Sequence, residues 1–335
     1  MESCWTIGKV LSWTTGYLQR KGDEHPRLSA EWLINSVTNL SRVEIYMHFD
    51  QPLTAHELDL MHKAVERRAS GEPLQYITGE MPFRHIVLRC EKGVLIPRPE
   101  TEVLVDEVLA ALDEKTDGSQ PDAAAEKPDG PQSDSPQSAG SHPLVLEVGT
   151  GTGCIALSIA HEHPQAQVVA TDISPRAIAL ATRNRDALSL QDRVDLCQTD
   201  LAADVDPTLM GTFDVLVSNP PYIPTKVLHD DIPAEVRDFE PELALDGGAD
   251  GLDVFRRLLK LAAKALASTG VLCVELHETT LQQAAQLASE QQIYQDIRII
   301  EDYTHRPRIL FCKRGPQLNV QGATKSSQPT HPAQP

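Results

Sequence analysis

Leu144-Val145-Leu146-Glu147-Val148-Gly149-Thr150-Gly151-Thr152-Gly153 decides the fold. The first five residues have the length and apolar character of a buried strand, and the glycines that follow mark a tight turn. Cys154 to His161 is apolar again and begins a helix. Reading outward, the same unit repeats. A strand over 168–172 is followed by Ser174-Pro175, a helix start, and a helix to about 188. Further strands are expected over 194–197, 213–218 and 270–276, with a long helix over 252–267 and late strands over 297–300 and 309–312 closing the sheet edge. Apolar strands alternating with helices predict a doubly wound, Rossmann-like parallel sheet.

A glycine turn between a first strand and its helix lets a ligand approach the backbone closely. Asp172, at the end of the second strand and about 20 residues on, is placed to accept from ribose hydroxyls. The dinucleotide fingerprint is incomplete, because Cys154 stands where its third glycine would fall. Glu147, just ahead of the loop, suits a ligand with a free amino group better than a pyrophosphate. S-adenosylmethionine has an amino-acid end, a ribose and a sulfonium charge, and it is preferred over NAD. Asp200, after the third strand, is a candidate acceptor for the adenine amino group.

The second decisive stretch is Ser218-Asn219-Pro220-Pro221-Tyr222, where the fourth strand ends. In a doubly wound sheet the site lies where strand order reverses, so this loop and the glycine loop are expected to face one another. The Asn219 side-chain oxygen and the Pro220 carbonyl can accept both hydrogens of a planar NH2 group. Pro220 and Pro221 restrict the loop, and Tyr222 offers a ring to pack on the acceptor. Holding both hydrogens aims a delocalised nitrogen lone pair at an electrophilic methyl group, which is preorganisation rather than base catalysis. Asn219, Pro220 and Tyr222 are therefore the catalytic candidates. The acceptor is an amide or the exocyclic amine of adenine.

The rest of the 335-residue chain brackets this core. Residues 1–72 show helical periodicity, with Pro26 opening a second helix and Thr54-Ala55-His56-Glu57 forming a capping box. They predict a small helical domain for substrate recognition. Residues 73–97 read as a β-hairpin connector, built from an alternating run over 83–90 and a short strand over 93–97. The catalytic domain follows over 98–316, with Thr101 a possible cap for its first helix. Residues 113–143 and 317–335 are rich in Pro, Ser, Gln and Gly and read as a disordered insert and tail.

Composition is that of a soluble globular protein, with 41% hydrophobic and 23% charged residues. The formal charge of −18 argues against holding nucleic acid through its phosphates. The six cysteines form no CxxC pair and no metal-ligand spacing, so no metal is expected. No basic-then-apolar leader and no membrane-length apolar run is evident, and the chain reads as cytoplasmic.

Several stretches together resemble a known family. They are Gly71-Glu72-Pro73-Leu74-Gln75-Tyr76-Ile77-Thr78-Gly79-Glu80, Leu95-Ile96-Pro97-Arg98-Pro99-Glu100-Thr101-Glu102, the 147–153 loop, Asn219-Pro220-Pro221-Tyr222-Ile223-Pro224, the run over 239–248 and Arg306-Pro307-Arg308. The chain resembles the PrmC (HemK) protein-(glutamine-N5) methyltransferases over nearly all its length except the insert and tail.

The resemblance implies a class I methyltransferase sheet. The cofactor is then S-adenosylmethionine, leaving as S-adenosylhomocysteine, and the substrate is the glutamine of the Gly-Gly-Gln motif of peptide chain release factors. It implies cofactor contacts from Gly149, Thr150, Gly151, Thr152, Gly153, Asp172, Leu201 and Asn219, and a substrate clamp from Asn219 to Tyr222, Pro221 included. Leu201 departs from the aromatic residue often found there. The insert is longer than the family's linker, and Leu276-His277-Glu278 replaces a glycine-containing turn. The rival readings are an adenine-N6 methyltransferase on DNA or RNA, and a binding protein that has kept a cofactor pocket.

Overall fold

The computed structural model describes residues 4–117 and 142–315. Five helices open the described chain: α1 (Ile7–Arg20), α2 (Pro26–Thr38), α3 (Arg42–Met47), α4 (Ala55–Ala69) and α5 (Leu74–Thr78). The capping box at Thr54 is formed in both directions. Its hydroxyl accepts from the Glu57 N–H, and the Glu57 carboxylate accepts from the Thr54 N–H. Ser41 and Glu44 make a second box that starts α3. One face of each longer helix turns inward, and Leu11, Leu18, Leu33, Ile34, Ile45, Met61 and Val65 form a core of their own.

The hairpin is shorter and earlier than the sequence pattern suggests. Strands β1 (Glu80–Phe83) and β2 (Ile86–Arg89) pair antiparallel, with Phe83 opposite Ile86. The alternating run over 83–90 thus contains the turn. Arg84 takes a left-handed φ of 49° there, and its guanidinium is pinned by Glu162 and Asp106. Residues 93–97 are not a strand. The segment runs as irregular chain along the cavity described below.

Helix α6 (Thr101–Asp117) leads toward the sheet. It carries residues 113–117 of the expected insert. Residues 118–141 and the tail lie outside the described residues. The sheet elements follow in order: β3 (Leu144–Val148), α7 (Cys154–Glu162), β4 (Gln167–Asp172), α8 (Pro175–Ala187), β5 (Val194–Gln198) and β6 (Phe213–Ser218). Two short helices, α9 (Thr225–Asp230) and α10 (Ala234–Phe239), precede α11 (Asp253–Ala265). Then come β7 (Leu266–Glu275), α12 (Leu281–Glu290), β8 (Tyr294–Glu301) and β9 (Pro307–Arg314).

The strand order is β5-β4-β3-β6-β7-β9-β8. Pairing is parallel from β5 to β7, while β9 runs antiparallel to both its neighbours. Both faces are covered. Val145, Val215, Val217 and Cys273 pack under α6 and α7, whereas Leu146, Leu216, Leu272 and Val274 pack under α11 and α12. Truncating a fully buried side chain such as Leu216 to Ala costs ~2–5 kcal/mol. The helical front is tied to this body by Arg68 of α4, which pairs with Asp23 at 2.7 Å and with Glu235 of α10 at 3.1 Å.

The chain leaves β3 outward through β4 to β5, then returns to β6 on the other side of β3. Strand order therefore reverses between β3 and β6, where a doubly wound sheet opens a crevice at its carboxyl edge.

Candidate active site

A cavity occupies that crevice. Its walls come from the loops after β3, β4, β5 and β6, from residues 93–98 and 101, and from Leu243, Ala244, Val254 and Arg257. Val148 pairs with Ser218 at the ends of β3 and β6, so the two loops expected to meet do so. A Cβ built on Gly149 would lie 3.9 Å from the Asn219 carbonyl oxygen. Ser218 fastens the junction by donating to the Val148 carbonyl at 2.7 Å.

The glycine loop keeps its form through backbone geometry. Gly149 and Gly151 have φ of 79° and 56°, a region that side chains rarely enter. The Gly149 and Thr150 N–H groups both donate to the Thr171 carbonyl on β4. Gly151 donates to Asp172 Oδ2 at 2.9 Å, and Ser174 donates to Asp172 Oδ1 at 2.8 Å. Burial raises the Asp172 carboxyl above the usual aspartate range, and these N–H donors work against the rise. Asp172 lines the cavity with carboxylate lone pairs to spare.

Glu147 is corrected by the structure. It is fully buried and does not line the cavity. Strand alternation turns it inward under α7, where Oε2 accepts from the Thr150 hydroxyl at 2.6 Å and from the Ala156 N–H at 3.1 Å. It braces the loop from beneath, and burial pushes its carboxyl up to about 7. Gly153 is also away from the cavity. It is the N-cap of α7 at φ 87°, and a Cβ there would meet Leu157 of the same helix at 2.8 Å and Ala181 of α8 at 3.4 Å, so it serves close packing at the start of α7.

Thr150 and Thr152 line the cavity, as do Asp200 and Leu201. Asp200 has a partner that the sequence reading missed. Both its oxygens accept from Arg257 of α11, at 2.7 and 2.6 Å. Leu201 adopts a left-handed φ of 56°, a strained conformation for a branched side chain at the rim of a site.

Pro220 and Pro221 line the cavity, but Tyr222 does not. Its ring packs on the α11 side of the core, with His277 6.4 Å away between ring centroids. The expected stacking of Tyr222 on an acceptor in this cavity is therefore not what the geometry offers. Burial raises its hydroxyl pKa well above the usual value.

Asn219 is the side chain with a directed setting. Its Nδ2 donates to the Thr101 hydroxyl at 3.1 Å, and that hydroxyl donates to Glu275 Oε2 at 2.7 Å. Thr101 begins α6 and Glu275 ends β7, so three elements converge on one amide. Burial pushes the Glu275 carboxyl up to about 7. Arg98 lines the cavity and also reaches Glu240, a buried carboxyl beyond the cavity wall. The 93–98 segment and Thr101 had a signal in the sequence, namely their place in the Leu95–Glu102 run. Arg257 and Glu275 had none.

The chain is similar to known proteins over most of its length. Residues 9–79 match the family model described as PrmC N-terminal domain, and residues 137–237 match that of the methyltransferase small domain. The release factor glutamine methyltransferase of Geobacter sulfurreducens is 43% identical, over 81% of this chain and 84% of its own. The proteins of the same name from Rhodopirellula baltica and Chlorobaculum tepidum are 38% and 35% identical, each over 93% of this chain and 98% of theirs.

Proposed function

Because the chain belongs to the release factor glutamine methyltransferase family, we propose that it methylates the glutamine of the Gly-Gly-Gln motif in peptide chain release factors. The methyl group goes from S-adenosylmethionine to the side-chain amide nitrogen, N5, in support of translation termination. The observation that carries this reading is the contact between Gly149 and the Asn219 loop at the ends of paired strands, with the Asn219 NH2 already committed to Thr101.

The residues present fit the cofactor. The bare backbone at Gly149 and Gly151 leaves room for its amino-acid end, and the Asp172 carboxylate can accept from both ribose hydroxyls. Ile173, Leu201 and Val254 supply apolar wall for a flat base, with Asp200 at its edge. Bound there, S-adenosylmethionine supplies an electrophilic methyl group on a sulfonium. Glu147 and Gly153 act one step back, by holding the loop in shape.

Asn219 Oδ1 and the Pro220 carbonyl accept the two N–H hydrogens of the substrate amide. This orients the lone pair of a poor nucleophile for in-line attack, and fixed dipoles stabilise the charge that develops on it. No strong base is needed before transfer, since the nitrogen proton becomes acidic only afterwards. Pro220 and Pro221 keep the acceptors in place, and Tyr222 anchors the loop to the core behind them. In this reading residues 1–72 recognise the substrate, 73–97 connect, and 98–316 carry out the chemistry.

The test is to incubate the protein with methyl-labelled S-adenosylmethionine and, separately, a release factor or unmethylated DNA. Label on the release factor supports the reading. Label on DNA alone replaces it with adenine methylation, and label on neither leaves a binding protein.

A further inference from the structure

We propose that Thr101 and Glu275 are positioning residues that set which end of the Asn219 amide faces the acceptor. The inference rests on the reading of Asn219 as the group that holds the substrate amide.

The order of donors in this chain is forced. An ionised Glu275 can only accept, so the Thr101 hydroxyl must donate its single hydrogen to it. The hydroxyl oxygen then has only lone pairs to offer Asn219, and the amide must present its NH2 to Thr101. Oδ1 is left for the cavity, as an acceptor for N–H groups. If Glu275 takes a proton, the chain can run backwards. The carboxyl donates to Thr101, Thr101 donates to Asn219 Oδ1, and the Asn219 NH2 points at the substrate NH2. Two donors then face each other and the clamp is lost.

The setting makes such a switch reachable. Glu275 and Thr101 are both fully buried. Around Glu275, Glu100 pushes its carboxyl up further while Arg308 and Arg98 pull it down. Cys154 and Tyr222 lie within its electrostatic reach. His277, two residues on, is held below its ordinary pKa by burial and by Arg308. The clamp is therefore set at alkaline pH and reversed at acid pH, with the change in the neutral range.

The experiment combines turnover with a readout that needs no methyl transfer. In wild type, kcat should fall as pH drops through about 7, with the affinity for S-adenosylmethionine unchanged. Thr101→Val, which removes the hydroxyl at constant shape, should lower kcat on the order of 10- to 100-fold. Thr101→Ser should recover most of that loss. In Glu275→Gln the acid limb should disappear, with a plateau below wild type because a glutamine can set the chain either way. The side-chain 15N–1H signal of Asn219, followed in the protein without substrate, should shift across the same pH range in wild type and stay still in Glu275→Gln.

Three results overturn the inference: full kcat in Thr101→Val, equal losses in Thr101→Val and Thr101→Ser, or an acid limb and an Asn219 shift that survive Glu275→Gln. Failure of wild type to methylate a release factor at any pH overturns the functional reading instead, and the NMR titration still decides the chain of hydrogen bonds.

Discussion

The loop after β3 and the loop after β6 meet at one edge of the sheet, yet they are held by different means. The first keeps its shape locally. Its glycines supply the turn, its N–H groups go to the neighbouring strand, and its buried carboxyl, Glu147, sits two residues ahead and hydrogen-bonds to Thr150 within the loop. The second borrows its shape. Its cavity-lining amide, Asn219, is a side chain, and the buried carboxyl behind it, Glu275, is linked to it through a threonine from a third element. Both carboxyls are fully buried and both are pushed up to about 7. A loop that only has to leave space can be specified by glycine. An amide fixed by side-chain hydrogen bonds, as Asn219 is, depends here on partners distant in sequence.

The largest effect should come from Asn219→Ala, which removes the acceptor of the second loop. We expect methyl transfer to fall on the order of 100- to 1,000-fold or below detection, with cofactor affinity largely kept. Steady-state kinetics together with calorimetric cofactor binding would check this. Equal losses in binding and turnover would mean that Asn219 belongs functionally to the first loop. Gly151→Val should do the reverse, because a β-branched residue at φ 56° is strained by ~1–3 kcal/mol and crowds the cavity floor. Cofactor affinity should drop about 10-fold or more, and the melting temperature should fall as well. Asp172→Asn should weaken cofactor binding by about 10-fold, as expected when a charged acceptor for hydroxyls becomes neutral.

The smallest effect concerns the carboxyl under the first loop. In the folded state Glu147 holds its proton to about 7, against an ordinary value of 4.5. Its contribution to stability is therefore fully present below the ordinary value and is lost as pH rises through about 7. The span is worth ~3 kcal/mol at most. Glu147→Gln should flatten the decline in stability between pH 5 and pH 8, as followed by urea midpoints. If the slope is unchanged in the variant, Glu147 is not the group that carries it.

The difference between the loops also explains what could be read from the chain. The strand–glycine–helix unit, Asp172 at the next strand end, the reversal beside β3 and the Thr54 capping box all depend on residues within one local pattern, and each is legible. Alternation continues through the Arg84 turn and so places the hairpin too late, while the acids that hold the Arg84 guanidinium lie far away at positions 106 and 162. Helices α3, α5, α9, α10 and α12 lie outside the helices that the sequence pattern predicts, and α5 falls within the expected hairpin connector. Four of the five have only five or six residues, too short for a helical period to stand out. Adjacency to the loop points Glu147 at the ligand, whereas strand alternation turns it into the core. Thr101 looked like a cap, and Glu275 looked like the last residue of a strand. Their hydrogen-bonded link to Asn219 is visible only once the sheet brings β7 beside β6 and α6 across their ends.

The central claim is that the clamp at Asn219 holds a protein glutamine amide. Tandem mass spectrometry of a release factor treated with wild-type protein and S-adenosylmethionine tests it most directly, with Asn219→Ala treated in parallel. A single added methyl group on the side-chain nitrogen of the Gly-Gly-Gln glutamine, present with wild type and absent with the variant, is the predicted result. A methyl group on any other residue, or the same modification from Asn219→Ala at an undiminished rate, would contradict it.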